Sequence, residues 1–186
     1  MIGYAFTGSF CTLKKSLAEL EKLVNLGYDV LPIVSENAYT TDTRFFKAED
    51  FIEKVESLCK RKVINTVKDA EPLGPKTPLE SLIIAPCTGN TLAKIANGIT
   101  DTSVTMAAKA HLRCDRPLLI ALASNDAMSQ NLGNIAKLIA RKAVYFLPLS
   151  QDDPIGKPHS LVADFSRLFE AFSAMQESRQ LRPLFV

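Results

Sequence analysis

Tryptophan is absent from this 186-residue chain, histidine occurs twice, cysteine four times, and no apolar run approaches the ~20 residues that span a bilayer. Each shortage excludes something. The opening Met1-Ile2-Gly3-Tyr4-Ala5-Phe6 is interrupted by Thr7-Gly8-Ser9, so neither a membrane helix nor a secretory signal is expected, and the reading is a cytosolic protein. Cys11, Cys59, Cys87 and Cys114 stand singly with no C-x-x-C spacing, the pattern of four free thiols in a reducing compartment. His111 and His159 form no cluster with them, so no metal site is expected. The eight glycines never fall as G-x-G, which leaves both a nicotinamide-binding Rossmann fingerprint and a phosphate-binding P-loop unsupported. Charge of one sign is lacking too. With 22 basic and 20 acidic residues interspersed, the net +2 carries no footprint of a nucleic-acid or membrane binder. The expected partner is a small molecule or another protein.

What the chain has is apolar residues, 47% of the total, enough for the core of one domain over residues 1–186. Short β-forming runs alternate with segments of helical period, which predicts a parallel α/β sheet. Strands are expected at Ile2–Phe6, Tyr28–Val34, Ser81–Ala85, Pro117–Ala123 and Ala143–Leu147, with a short one at Val63-Ile64. Helices are expected where Leu13, Leu17, Leu20 and Val24 share a face and Gly27 closes the turn, then through Phe51, Ile52, Val55 and Leu58. Further helices read through Leu92, Ile95 and Ile99, through Val104 to Leu112, through Leu132 to Ile139, and from about Ser160 to Met175. Ser35–Lys47, Ala70–Pro78, Ser124–Gln130 and Pro148–Pro158 read as loops. Lys60-Arg61-Lys62 reads as a solvated helix end. The sum is a single three-layer, Rossmann-like α/β domain with an open parallel sheet.

In such sheets ligands bind beyond the carboxyl ends of the strands. Thr7-Gly8-Ser9, Ser35-Glu36-Asn37, Pro86 to Asn90 and Ser124 to Met128 are each small and polar directly after an apolar strand. Amides and hydroxyls of Thr7-Gly8-Ser9, ahead of a helix, suit an anion such as a phosphate, and a second loop of this kind at Pro86 to Thr91 strengthens that reading. A plain turn and a helix cap by Thr88 or Asn90 are the blander alternatives. Cys87 sits at a strand end, but nothing marks either histidine as its base, so packing or ligand contact is the better reading than nucleophile.

Pro86 to Asp101, PCTGNTLAKIANGITD, resembles the signature of the flavodoxin-like flavoprotein family that contains flavin-dependent cysteine decarboxylases and flavin prenyltransferases. That signature runs P-x-S-A-N-T followed by K-[IL]-A-x-G-[IL]-x-D. Pro86, Asn90, Thr91, Lys94, Ile95, Ala96, Gly98, Ile99 and Asp101 match it. Thr88 and Gly89 replace its serine and alanine. Thr7-Gly8-Ser9 is similar to the family's opening loop and Asn125 to Met128 to its N-x-x-M pattern. Within the family the likeness extends through TGSFCT, DTRFF at Asp42 to Phe46, AEPLGPKTPLESL, MAAKAHLR, SNDA and QDDPIGKP, nearly the full length.

The resemblance implies an FMN site. Gly8 and Ser9 would hold the phosphate and Ser35 would lie by the ribityl chain. Pro86, Cys87, Thr88 and Asn90 would line the flavin edge and phosphate, and backbone around Thr105 and Met106 would close the site. Asn125 and Met128 would face the substrate, while no catalytic acid or base is identified. It further implies one component of a two-component oxidoreductase, acting on a small cyclic dicarboxylate with a separate dehydrogenase-like partner chain, which would supply the NAD(P) site. Homo-oligomers, trimers or multiples of them, follow by the same resemblance. Arg44, Lys76, Lys109 and Arg113 are candidate carboxylate partners, or simply surface charges. The family's decarboxylases carry a histidine upstream of the central motif and an aromatic residue after N-x-x-M. Here no histidine precedes His111, and Ser129 takes the aromatic position. An independent FMN-dependent decarboxylase or prenyltransferase, and a non-catalytic scaffold for the dehydrogenase-like partner, remain the alternatives.

Overall fold

A computed structural model describes all 186 residues. The elements in chain order are β1 (Ile2–Phe6), α1 (Leu13–Asn25), β2 (Val30–Val34), α2 (Glu36–Thr40), α3 (Ala48–Cys59), α4 (Val67–Ala70), β3 (Leu82–Thr88), α5 (Gly89–Ala96), α6 (Ser103–Leu112), β4 (Leu118–Ser124), α7 (Leu132–Ile139), β5 (Val144–Phe146), β6 (Leu149–Ser150), β7 (Leu161–Ala163) and α8 (Leu168–Gln176). They build one seven-stranded sheet of order β2-β1-β3-β4-β7-β6, with β5 also pairing β4. β1, β2, β3, β4 and β5 run parallel, while β7 is antiparallel to both β4 and β6. The sheet is therefore mostly parallel with an antiparallel edge.

The central strands β1 and β4 are buried along their whole length, and β3 up to the half-buried Thr88 at its end, as expected when helices cover both faces. α3, α1 and α8 touch one another in one row, and α4, α6, α5 and α7 in a second. Right-handed crossovers running outward from the middle of the sheet place those rows on opposite faces. Tyr4 ties the layers together: its hydroxyl donates to the Ser16 carbonyl of α1 at 2.9 Å, and the Ser16 hydroxyl in turn donates to the Ala85 carbonyl of β3.

Two departures from the sequence reading have local causes. The expected helix from Ser160 starts only at Leu168, because Leu161–Ala163 pairs with Ala123 and Ser124 of β4 and Asp164 then caps a short 3-10 turn through the Ser166 amide. That same pairing recruits Leu149-Ser150 from the expected loop as β6. The expected loop at Ser35–Lys47 begins with α2, for which Ser35 is the N-cap and Glu36 the acidic first-turn residue. Val63-Ile64 contributes a single bridge, Ile64 to Ile33. Lys60 closes α3 in the left-handed conformation, and Arg61 and Lys62 pair with Asp29 and Glu56, a solvated helix end as read from the sequence.

The order of the strands fixes where a ligand belongs. From β1 the chain moves to β2 on one side, and β3 then returns on the other, so the direction of winding reverses between β1 and β3. The segments that follow those two strands, a loop after β1 and α5 after β3, diverge there and leave a crevice.

Candidate functional site

The expected loop at Pro86 to Asn90 is the end of β3 running straight into α5, and one side chain stitches it to the loop that leaves β1. Thr7 Oγ1 donates to the Pro86 carbonyl at 2.8 Å and accepts from the Thr88 amide at 2.9 Å. Pro86 has no amide to offer the sheet ladder, and the β3–β4 register shifts between Ile84 and Cys87, so the end of β3 is re-aimed at this point. Thr88 then caps α5, its hydroxyl accepting from the Thr91 amide at 3.2 Å. Helix starts leave their first amides without intrahelical partners, so Gly89 and Asn90 present donors beside the Thr7-Gly8-Ser9 loop. The Gly8 amide likewise meets no acceptor within the protein. These hydroxyls, free amides and helix start are a donor set suited to a phosphate.

A cavity of about 490 Å³ opens at this place, lined by Gly8, Ser9, Thr88 and Asn90 together with Asn125. Five of the residues expected from the sequence thus meet in one cavity. The others stand back from it. Ser35 is buried as the cap of α2, and Pro86 and Cys87 are buried in β3. Burial pushes the Cys87 thiol well above its ordinary range, which leaves it no thiolate to attack with. Thr105 completes the capping box of α6 with Thr102, while Met106 and Met128 are half-buried against the core. Of the four cationic candidates only Arg44 lines the cavity.

Several lining residues escaped the sequence reading. Phe10, Cys11, Phe45, Asp152 and Lys157 form part of the wall, joined by Ser124 at the end of β4 and Asp126 just past it, in a stretch that the sequence had already marked. Asp126 is held by the Ser124 hydroxyl and by Asn131 Nδ2 at 2.9 Å, and these bonds, the Ser124 one foremost, lower its pKa. The Ser124–Asp126–Asn131 cluster packs directly on Gly89. A Cβ there would lie 2.7 Å from Asn131 Nδ2 and 2.8 Å from Asp126 Oδ1. That contact explains why glycine stands where the family signature has alanine. Asp152 accepts from Lys157 Nζ and from the Ser160 hydroxyl, each at 2.8 Å, and its pKa is lowered by Lys157 first and Ser160 second. The signal for Phe45, Asp152 and Lys157 was their place in the stretches Asp42 to Phe46 and Gln151 to Pro158, and for Phe10 and Cys11 their place in TGSFCT, not any recognisable spacing. A larger groove of about 560 Å³ beside α3 is lined by Glu49, Glu53 and Glu56, an acidic wall that disfavours an anion. Neither histidine lines the 490 Å³ cavity.

The chain belongs to the flavoprotein family, which matches residues 1–168. The B subunit of dipicolinate synthase from Bacillus subtilis (strain 168) is 41% identical to it over 185 residues, covering 100% of this chain and 92% of that protein. The crystal structure of the corresponding dipicolinate synthase chain from Bacillus halodurans C superposes with a TM-score of 0.91 at 41% identity, covering 100% of this chain and 95% of that one. The FMN-dependent cysteine decarboxylase SpaF shares the fold at 18% identity, with a TM-score of 0.71 and 95% of both chains covered. No helix is long and apolar enough to cross a membrane.

Proposed function

We propose that the chain works as the flavin-site component of a dipicolinate synthase. Together with a separate dehydrogenase-like A subunit it makes pyridine-2,6-dicarboxylate from a dihydrodipicolinate-type precursor, in the cytoplasm of the mother cell during sporulation. One observation carries this reading: 41% identity to a dipicolinate synthase B subunit over 100% of this chain. Aromatisation of a dihydropyridine ring removes two electrons and two hydrogens, formally a hydride and a proton. With no dinucleotide fingerprint in this chain, the NAD(P) that takes the hydride belongs to the A subunit.

FMN is the cofactor the cavity suits. The Gly8 amide and the Ser9 hydroxyl would hold its phosphate, with Thr88 and the start of α5 beside them and Asn125 on the substrate side. Ser35, Pro86, Cys87, Thr105, Met106 and Met128 would act from behind, by fixing the loops rather than by touching the ring. Bound FMN would supply a two-electron carrier between the dihydro ring and that NAD(P). Independent peptidyl-cysteine decarboxylation is disfavoured because the cavity wall holds no histidine.

Native mass spectrometry of the purified chain tests the cofactor and the assembly together. The expected spectrum shows FMN-loaded homo-oligomers, and co-expression with the A subunit should yield a complex that turns over the dihydro precursor with NAD(P). Full turnover by this chain alone with NAD(P) would sink the two-component reading. A colourless protein that takes up no FMN on titration yet raises the activity of the A subunit would make it a scaffold instead.

A further inference from the structure

Four charged side chains line the 490 Å³ cavity, and they differ in how far they are already spent. Asp126 is engaged by Ser124 and Asn131, and Asp152 by Lys157 and Ser160. Both carboxylates are thus satisfied within the wall. Arg44 forms no ion pair in the protein; its guanidinium lies 4.8 Å from the centroid of the Phe45 ring, also in the wall. Lys157 commits one of its three ammonium donors to Asp152, which leaves two for a ligand.

The two cations come from different loops, Arg44 between α2 and α3 and Lys157 between β6 and β7, and each loop is built to present its residue. The Thr43 hydroxyl accepts from the amides of Phe45 and Phe46 at 3.2 and 3.3 Å, and the Thr43 amide donates to the Phe46 carbonyl at 2.9 Å, a tight turn with Arg44 at its apex. Asp153 accepts from the Gly156 amide through its side chain and from the Lys157 amide through its carbonyl, both at 2.8 Å. Gly156, immediately before Lys157, leaves the Asp153 carboxylate room to close over its own amide.

We propose that Arg44 and Lys157 are the substrate-selecting residues of this site, one for each carboxylate of a cyclic dicarboxylate, with the Phe45 ring beside them. The assignment rests on the dipicolinate reading above. Paired fixed cations discriminate by number: a ligand with two carboxylates engages both, and a ligand with one carboxylate engages either. A charge-assisted contact at each end makes the difference about tenfold or more in affinity.

Calorimetric titration of the full-length protein with pyridine-2,6-dicarboxylate and with pyridine-2-carboxylate tests this. Wild type is expected to bind the dicarboxylate about tenfold or more tightly than the monocarboxylate. Arg44→Gln and Lys157→Gln should each lower dicarboxylate affinity about tenfold while changing that of the monocarboxylate about twofold, and the double variant should lose the preference. Lys157→Arg should restore it. Both positions are exposed loop residues, so the urea midpoints should stay at the wild-type value. A wild type that binds neither pyridine would overturn the dipicolinate reading and this assignment with it. A wild-type preference that survives in both single variants would overturn the assignment alone. Loss of FMN binding in the variants, with dicarboxylate binding intact, would also overturn it and give these cations to the cofactor phosphate.

Discussion

Gly89 carries more of the site than its size suggests. In place of the family's alanine, it makes room for three side-chain ends, Ser124 Oγ, Asp126 Oδ1 and Asn131 Nδ2. Any one of these alone would swing aside for a methyl group, but they are bonded to each other, and Asn131 Oδ1 also accepts from Asn134 Nδ2 at 3.0 Å. Gly89→Ala therefore sets a gain in helix propensity of at most about 1 kcal/mol against an overpacking cost of about 1–3 kcal/mol. Overpacking wins. Urea denaturation should show a net loss on the order of 1 kcal/mol. In the double variant with Ser124→Ala, which removes the hydroxyl nearest the new methyl, the combined loss should be smaller than the sum of the two single losses. Strict additivity would show that the methyl group is accommodated without touching the cluster.

At the scale of elements, helix starts set the geometry around the cavity. Thr102 and Thr105 exchange reciprocal bonds at the head of α6, the Thr105 amide reaching Thr102 Oγ1 at 3.2 Å and the Thr102 amide reaching Thr105 Oγ1 at 3.0 Å. One residue on, the Ser103 hydroxyl holds the Val34 carbonyl at 2.7 Å, which pins this head to the end of β2. Thr102→Ala should cost about 1 kcal/mol and lower Tm by about 2–4 °C, with Thr102→Ser near wild type. Equal losses in both variants would mean that packing of the methyl, not the cap, is what counts. Caps of this kind also show why the sequence was readable in some places and opaque in others. The strands β1, β3 and β4 and the helices between them were legible because an uninterrupted apolar run or a stripe of period 3.6 is a local signal. Ser35-Glu36 is an equally local start signal for α2, overshadowed by the polar residues around it. β6 and β7 were illegible for a different reason. Leu161–Ala163 is three residues long and becomes a strand only because the end of β4 leaves an edge to pair with. The site divides the same way. Gly8, Ser9, Thr88, Asn90, Asn125 and Asp126 lie at or just past strand ends, where position points to them, whereas Asp152 and Lys157 enter the wall through long-range packing that spacing does not encode.

For the whole molecule, the most consequential ionisable group lies far from the cavity. His111 is fully buried in α6, its Nε2–H donating to the Pro117 carbonyl at 2.9 Å at the entry to β4. Its Nδ1 is buried with no partner at all. Burial, the largest cause, and the nearby Arg116 charge both lower its pKa below the ordinary 6.5, against the opposing Pro117 bond. The sign follows directly. Well above pH 6.5 the ring is neutral in folded and unfolded chains alike, and the full stability is present. Below that value the unfolded chain takes up a proton that the folded chain refuses, so stability falls as pH drops, by at most about 1.4 kcal/mol per pH unit while the folded ring stays neutral. Urea unfolding of the full chain should therefore be flat between pH 8 and about 7 and decline from about 6.5 downward, before the carboxylates titrate near pH 4. His111→Gln removes the titrating group, so whatever its stability at pH 8, its profile between pH 7 and 5 should be flatter than that of wild type by this one proton. An equally steep decline in the variant would place the proton uptake elsewhere.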